Sequence, residues 1–213
     1  PERFSPNVIM RPLFQETILP NLCYIGGGAE LSYWLQLKTY FGSEQLNFPI
    51  LLHRNSVLLV SHKQQQKLDK LNLSVLDLFQ NKQVLIDSQI KKITALSIDF
   101  SNQKTALKQQ FLSIYKIASQ TDKSFLGAVS AQEKKQIKGL ELLEKRLLRA
   151  EKKSHKNYVE RIEQIHLELF PNGTLQERFS NFSEFYLDYG EEFIERLKFE
   201  LVPLNQNFHI FSL

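Results

Sequence analysis

Three consecutive glycines, Gly26-Gly27-Gly28, follow the apolar run Leu22-Cys23-Tyr24-Ile25, and beyond them Ala29, Leu31, Trp34, Leu35 and Lys38 take helical spacing. Lacking a Cβ, glycine permits left-handed or crowded backbone and lets another molecule approach the main chain. A strand, a glycine turn and a helix N-terminus in succession can present amides to an anion, so Gly27, Gly28 and Ala29 are candidate donors to a carboxylate or phosphate; a tight turn without a ligand is the alternative. Glu30, in the first helical turn, either satisfies the helix dipole or is placed to bind an amine or act as a base. Arg11 and Glu16 lie at and beyond the apparent end of one strand, and Arg54-Asn55 follows another, the edge where α/β proteins keep their ligands. Each of these charges could equally be a surface ion-pair member.

Other chemistries find less support. The glycines supply the first two positions of G-x-G-x-x-G and fail at the third, and no acidic residue closes a following strand, so the dinucleotide fingerprint is weak. His53, His62, His155, His166 and His209 are scattered without metal-ligand spacing, and no Cys-x-x-Cys pair exists, so no metal site is expected. G-x-S-x-G and a Walker lysine are both missing. Cys23, the single cysteine, excludes an internal disulfide and fits a reducing cytosol; its apolar neighbours suit a buried thiol.

The elements that must position these residues are carried by a chain of 213 residues, 42% hydrophobic, which is enough for a real core. Apolar runs fall short of the roughly 18–20 residues that cross a bilayer, and no signal peptide opens the chain, so a cytoplasmic protein without a membrane partner is expected. Without an initiating Met, the chain reads as a fragment. Charge is uneven: residues 61–171 hold twenty basic and twelve acidic groups, whereas 172–213 hold three and seven. Lys and Glu interleave in the basic middle, as on a solvated helix face, and no Arg and aromatic cluster offers a stacking platform, so nucleic acid is not an expected partner.

Residues 1–60 alternate strands and short helices: strand 7–10, a short helix 13–18, strand 22–25, a helix from Ala29 to near Gly42, then strands 48–52 and 56–60. This pattern predicts an α/β layer with a parallel sheet. Residues 61–100 form a helical connecting region. Residues 101–171 carry a coiled-coil seam, with Leu107, Phe111, Ile114 and Ala118 on one helix and Phe125, Val129, Ile137, Leu140, Leu143, Leu147 and Ala150 on a second, which runs from Asp122 to Phe170. A short link at Thr121-Asp122 makes the two an antiparallel hairpin, and steps of four from Ala150 to Ile162 loosen the supercoil like a stutter. The seam is broader than one short partner covers, which suggests dimerisation. Residues 172–213 supply amphipathic helices and a final strand, 208–213, returning to the sheet.

Ser5-Pro6-Asn7-Val8-Ile9-Met10-Arg11-Pro12-Leu13-Phe14-Gln15-Glu16, Tyr24-Ile25-Gly26-Gly27-Gly28-Ala29-Glu30, Tyr33-Trp34 and Leu169-Phe170-Pro171-Asn172-Gly173 with Leu175-Gln176-Glu177-Arg178 strongly resemble the cysteine-adding enzymes of bacillithiol biosynthesis, the cysteine ligases. The resemblance covers essentially the whole chain. It implies a partial Rossmann-like, nucleotidyltransferase-like parallel sheet with a long antiparallel α-helical coiled-coil arm used in homodimerisation. It also implies the last step of bacillithiol synthesis, an amide bond from the carboxyl of L-cysteine to the amine of glucosaminyl-malate. ATP or ADP is the suspected activating nucleotide. On this resemblance Glu30, Arg11 and Glu16 are candidate catalytic residues, the loop Gly26, Gly27 and Gly28 lines the pocket with Glu30, Arg11 or Arg54 holds a carboxylate or phosphate, Asn55 is a further candidate binding residue, and Tyr24, Tyr33 and Trp34 wall the pocket. Ala29 stands where many relatives carry glycine, which narrows a ligand's approach. Family members are much longer, with the N-terminal half of the nucleotide-binding core ahead of the position of Pro1, so the chain alone is not expected to catalyse. The alternative is a coiled-coil interaction module without catalysis.

Overall fold

The computed structural model describes residues 5–213, which fall into two compact units, one made of the residues up to 60 with 174–213, the other of 61–173.

In the first unit, Asn7 Oδ1 accepts the amides of Ile9 and Met10 at 3.1 and 2.9 Å and so starts helix α1, Met10–Ile18. Residues 7–10 are therefore a capped turn, not the strand that their β-branched side chains suggest, because a local side-chain bond to the backbone outweighs strand propensity. Pro12 is tolerated since the first helical turn has no intrahelical partners for its amides. Strand β1, Cys23–Gly26, pairs in parallel with β2, Ile50–His53, in the register Tyr24 to Leu51 and Gly26 to His53. Between them lie α2, Gly28–Gln36, and α3, Lys38–Ser43, separated at Leu37.

Side chains alternate across a strand, so Tyr24 and Leu51 share one face of this sheet. That face packs on the core of Leu13, Trp34 and Phe41, with Leu37, Tyr40, Leu46 and Phe48 around it. Trp34, only 1% exposed, stacks on Tyr24 with ring centroids 4.0 Å apart. The opposite face carries Cys23, whose thiol is exposed rather than buried as its apolar neighbours suggested.

A second parallel pair joins β3, Ser56–Val60, to β4, Phe208–Ser212, so the final strand returns to pair with the first sixty residues, in a two-stranded sheet of its own. Leu59, Phe193 and Phe211 are its core. The edge of β3 away from β4 is closed by side chains: Gln176 accepts the Leu59 amide at 2.9 Å and donates to the Leu59 carbonyl at 3.0 Å. Glu177 accepts the Val57 amide at 3.2 Å. Both belong to a 3₁₀ turn, Gln176–Arg178, where an amphipathic helix was expected. Helix α9, Phe182–Glu200, follows and is interrupted at Gly190, whose φ of 65° only glycine adopts readily. Asn55 donates to the carbonyls of Val202 and Asn205, fixing the turn before β4.

The second unit begins with α4, His62–Lys70, whose Ser61 and Gln64 form a capping box, and α5, Lys82–Ile93, capped by Asn81. Helices α6, Ser101–Ala118, and α7, Lys123–Ser154, are linked by a turn in which Asp122 accepts the Ser124 amide at 2.7 Å. Tyr115 donates to Glu133 at 2.8 Å and Lys104 pairs with Glu144 at 2.6 Å, so the two helices run in opposite directions. Phe111, Ala118 and Val129 are buried between them with Leu107 and Tyr115 packed alongside, whereas the expected seam residue Ile114 is exposed. The single helix expected from Asp122 to Phe170 is two: α7 stops at His155, with φ −99° and ψ 31°, and α8 runs from Lys156 to Leu169. Ile162, Ile165 and Leu169 are buried on α8. No helix among the described residues is long and apolar enough to cross a membrane.

Candidate functional site

The glycine loop sits at the carboxyl end of β1, where its three residues serve different ends. None has positive φ, so the left-handed freedom of glycine is not what the loop uses. Gly26 is required by crowding: a Cβ there would lie 2.8 Å from Tyr24 Cε1 and 3.3 Å from Glu30 Cβ. A Cβ on Gly27 would meet the Arg178 guanidinium at 3.3 Å, and one on Gly28 would lie 3.5 Å from His53 Nε2. Around this loop the fold thus gathers an arginine and a histidine that are far apart in sequence.

Arg54 is placed by the sheet, because its amide donates to the Gly26 carbonyl at 3.0 Å just beyond the β1 and β2 pairing. Glu177 lies between the two arginines, 3.7 Å from Arg54 Nη2 and 3.8 Å from Arg178 Nε. The edge of β1 and β2, close to the N-terminus of α2, thus gathers two guanidiniums, Arg54 and Arg178, with two carboxylates, Glu177 and Glu30. The Gly27 amide is already taken, by Glu30 Oε2 at 2.7 Å. Of the three expected anion donors, the amides of Gly28 and Ala29 in the first turn of α2 are those not engaged by Glu30.

The other sequence-predicted residues are distributed as follows. Tyr24 lies against the loop with Tyr33 beside it; burial first, then the Glu30 charge, pushes its hydroxyl pKa above the ordinary phenol value. Trp34 is beneath Tyr24 in the core, so it supports the site without lining it. Glu16 is buried and accepts both the amide and the side-chain Nδ2 of Asn21, at 2.8 and 3.0 Å, which closes the turn between α1 and β1. Arg11 is exposed on α1. Asn55 bonds the turn before β4. The structure therefore groups Gly26, Gly27, Gly28, Glu30, Tyr24, Tyr33 and Arg54, and gives Glu16, Asn55 and Trp34 contacts of their own. His53, Glu177 and Arg178 were missed as site residues; the Gln176-Glu177-Arg178 run after the Pro171-Asn172-Gly173 stop was the available signal.

With a carboxylate-bridged arginine pair, an imidazole and a helix N-terminus, this arrangement can hold and orient a carboxylate or phosphate.

Comparison with known proteins gives the same family along both parts of the chain. The description "Bacillithiol biosynthesis BshC, N-terminal Rossmann-like domain" matches residues 1–55, and "Bacillithiol biosynthesis BshC, C-terminal coiled-coil domain" matches 57–213. Among curated relatives, the "Putative cysteine ligase BshC" of Christiangramia forsetii is 57% identical over 212 residues, covering 100% of this chain and 39% of the relative. The protein of the same name from Flavobacterium johnsoniae is 56% identical, covering 100% and 40%, and that from Bacillus mycoides 29% identical, again covering 100% and 40%. The chain thus spans about two fifths of the length of the curated relatives it matches. On these matches, which take in both a Rossmann-like and a coiled-coil domain, the chain belongs to the bacillithiol biosynthesis BshC family.

Proposed function

We propose that this chain is the C-terminal part of a cysteine ligase that joins the carboxyl of L-cysteine to the amine of glucosaminyl-malate in the last step of bacillithiol synthesis, in the cytoplasm. The observation that carries the reading is the bridged pair Arg54 and Arg178 beside the glycine loop. Both substrates carry carboxylates, and a guanidinium pair binds such groups in fixed orientation. Amide formation from a carboxylate in water needs an activated acyl group, and ATP or ADP is the group suited to supply it; Arg54, Arg178 and the Gly28 and Ala29 amides would hold its phosphates. In this reading Glu30 keeps the loop in shape through the Gly27 amide, Tyr24 and Tyr33 flank the bound group, and Arg11 and Glu16 act from the neighbouring helix, Glu16 by fixing the approach to β1.

The α6 and α7 hairpin is, in the same proposal, an antiparallel coiled-coil arm through which two copies associate. Leu112, Ile117, Leu142 and Leu143 are exposed on it, more apolar surface than a solvated helix pair presents. Sedimentation as a monomer at micromolar concentration would remove the dimer and leave the ligand site untouched.

Calorimetry on the full-length Christiangramia forsetii relative tests the site, with L-cysteine, glucosaminyl-malate, ATP and ADP titrated separately. Alanine at the position matching Arg178 should weaken the ligand held there by roughly 10- to 100-fold, as expected for loss of a charge-assisted hydrogen bond. Unchanged affinity for all four would overturn the assignment.

A further inference from the structure

We infer that His53 is the proton acceptor of the amide-forming step, the group that frees the attacking amine. The inference rests on the cysteine ligase reading above and adds to it a residue and a role. Its basis is the end of β2. Side chains alternate along a strand, so His53 shares the face of Leu51, which packs on the core of Leu13, Trp34 and Phe41, and it stands at the last paired position, opposite Gly26. It therefore lies at the carboxyl edge of two parallel strands, where α/β proteins keep their ligands, beside the first turn of α2. A Cβ on Gly28 would lie 3.5 Å from Nε2 and 3.9 Å from Cδ2, so the ring rests against a residue that has no side chain. The ring is half-buried, and neither of its nitrogens is hydrogen-bonded among the described residues.

The other groups at the loop are committed elsewhere. Glu30 accepts the Gly27 amide, and Glu177 accepts the Val57 amide while lying between Arg54 and Arg178. The Tyr24 hydroxyl, held above the ordinary phenol value by burial and then by the Glu30 charge, keeps its proton. Guanidiniums do not accept protons. Imidazole remains, the side chain most often used in general acid and base catalysis.

The proposed reaction needs such a group. An amine that is an ammonium in water has two protons to lose on becoming an amide nitrogen. The first passes to the free ring nitrogen of His53 and exposes the lone pair. That pair bonds the acyl carbon of the activated cysteine, the phosphate-bearing leaving group departs with the electron pair of the bond that breaks, and the second proton goes to water.

The test uses the Christiangramia forsetii relative with its matched segment replaced by this chain, as parent and as His53→Ala. Should the chimera not fold, this chain is co-expressed with the residues of the relative that precede the match. Mass spectrometry follows the amide product with ATP and with ADP, and calorimetry gives the affinities for L-cysteine and glucosaminyl-malate. His53→Ala should lower kcat by roughly 10²- to 10⁴-fold and leave both affinities within about threefold of the parent. Added imidazole should raise the rate of the variant at least roughly tenfold, because a free base enters the space the side chain vacates; a misfolded site would not respond. A kcat within about threefold of the parent, or a loss that imidazole leaves untouched, would overturn the inference. So would an affinity at least roughly tenfold weaker at unchanged kcat, which would make His53 a ligand of the bound anion. A parent that binds neither substrate would instead refute the site, and one that binds both and joins neither would refute the reaction; either result removes this role with it.

Discussion

Replacing Gly26 by alanine tests whether the first glycine of the loop is there for packing. The added methyl would lie 2.8 Å from Tyr24 Cε1 and 3.2 Å from Leu31 Cδ2. Carbon atoms rest at about 3.5–4.0 Å, so the ring must retreat by roughly 1 Å. It cannot do so freely, because it stacks at 4.0 Å on Trp34, which is itself buried. Overpacking of this kind costs about 1–3 kcal/mol, which for a chain of this size lowers the melting temperature by roughly 2–12 °C. Gly28→Ala is the internal control: its methyl would stand 3.5 Å from His53 Nε2, an ordinary contact, at a helical position where alanine restricts the unfolded chain and stabilises by about 0.4–1 kcal/mol. Trp34 is the only tryptophan, so its fluorescence during urea or thermal unfolding reports on this core alone. A Gly26→Ala protein that unfolds within about 0.5 kcal/mol of the parent would refute the crowding argument. Gly28→Ala as damaging as Gly26→Ala would do the same.

Glu16→Ala should destabilise by about 1.5–3 kcal/mol, the cost of hydrogen bonds to a charged group, since two Asn21 donors lose their acceptor; Trp34 fluorescence unfolding in urea measures it. A loss of ligand binding with unchanged stability would instead mark Glu16 as part of the chemistry. For His166, burial first and the nearby Lys82 charge second hold the imidazole pKa below its ordinary value. The neutral ring is thus the form the fold prefers. Its contribution is complete above the unfolded pKa, near 6.5, and is lost as pH falls from there toward the lowered folded value. The circular-dichroism urea midpoint of the parent should therefore drop over that interval more than that of His166→Phe, and parallel curves would exclude the ring as the cause.

Much of the architecture was legible where side-chain pattern alone decides it. The β-branched run Ser56–Val60 forms β3 with the expected bounds, and the Asp122 cap lies where the helices turn back. Elsewhere local chemistry or distant contacts decided. Asn7 captures two amides and turns a strand-like sequence into a helix start, and Cys23, set among apolar neighbours, is exposed because its whole face is bare. On α6 the seam passes through Tyr115, which packs against Phe111 and reaches Glu133, rather than through Ile114. Near the loop, Arg54 could be read from its place after a strand. Arg178 could not, because nothing in the spacing of residues ties it to Gly27; only the 3₁₀ turn that anchors Gln176 on Leu59 brings it there.

That anchoring has a consequence for how the protein can go wrong. Gln176 and Glu177 occupy the rim of β3 much as a further strand would, so any foreign segment zipping onto that rim must first expel them. Expelling Glu177 also unties Arg54 from Arg178. Covering the rim of β3 and holding the two arginines together therefore fall to one carboxylate, so Glu177→Ala should loosen both at once.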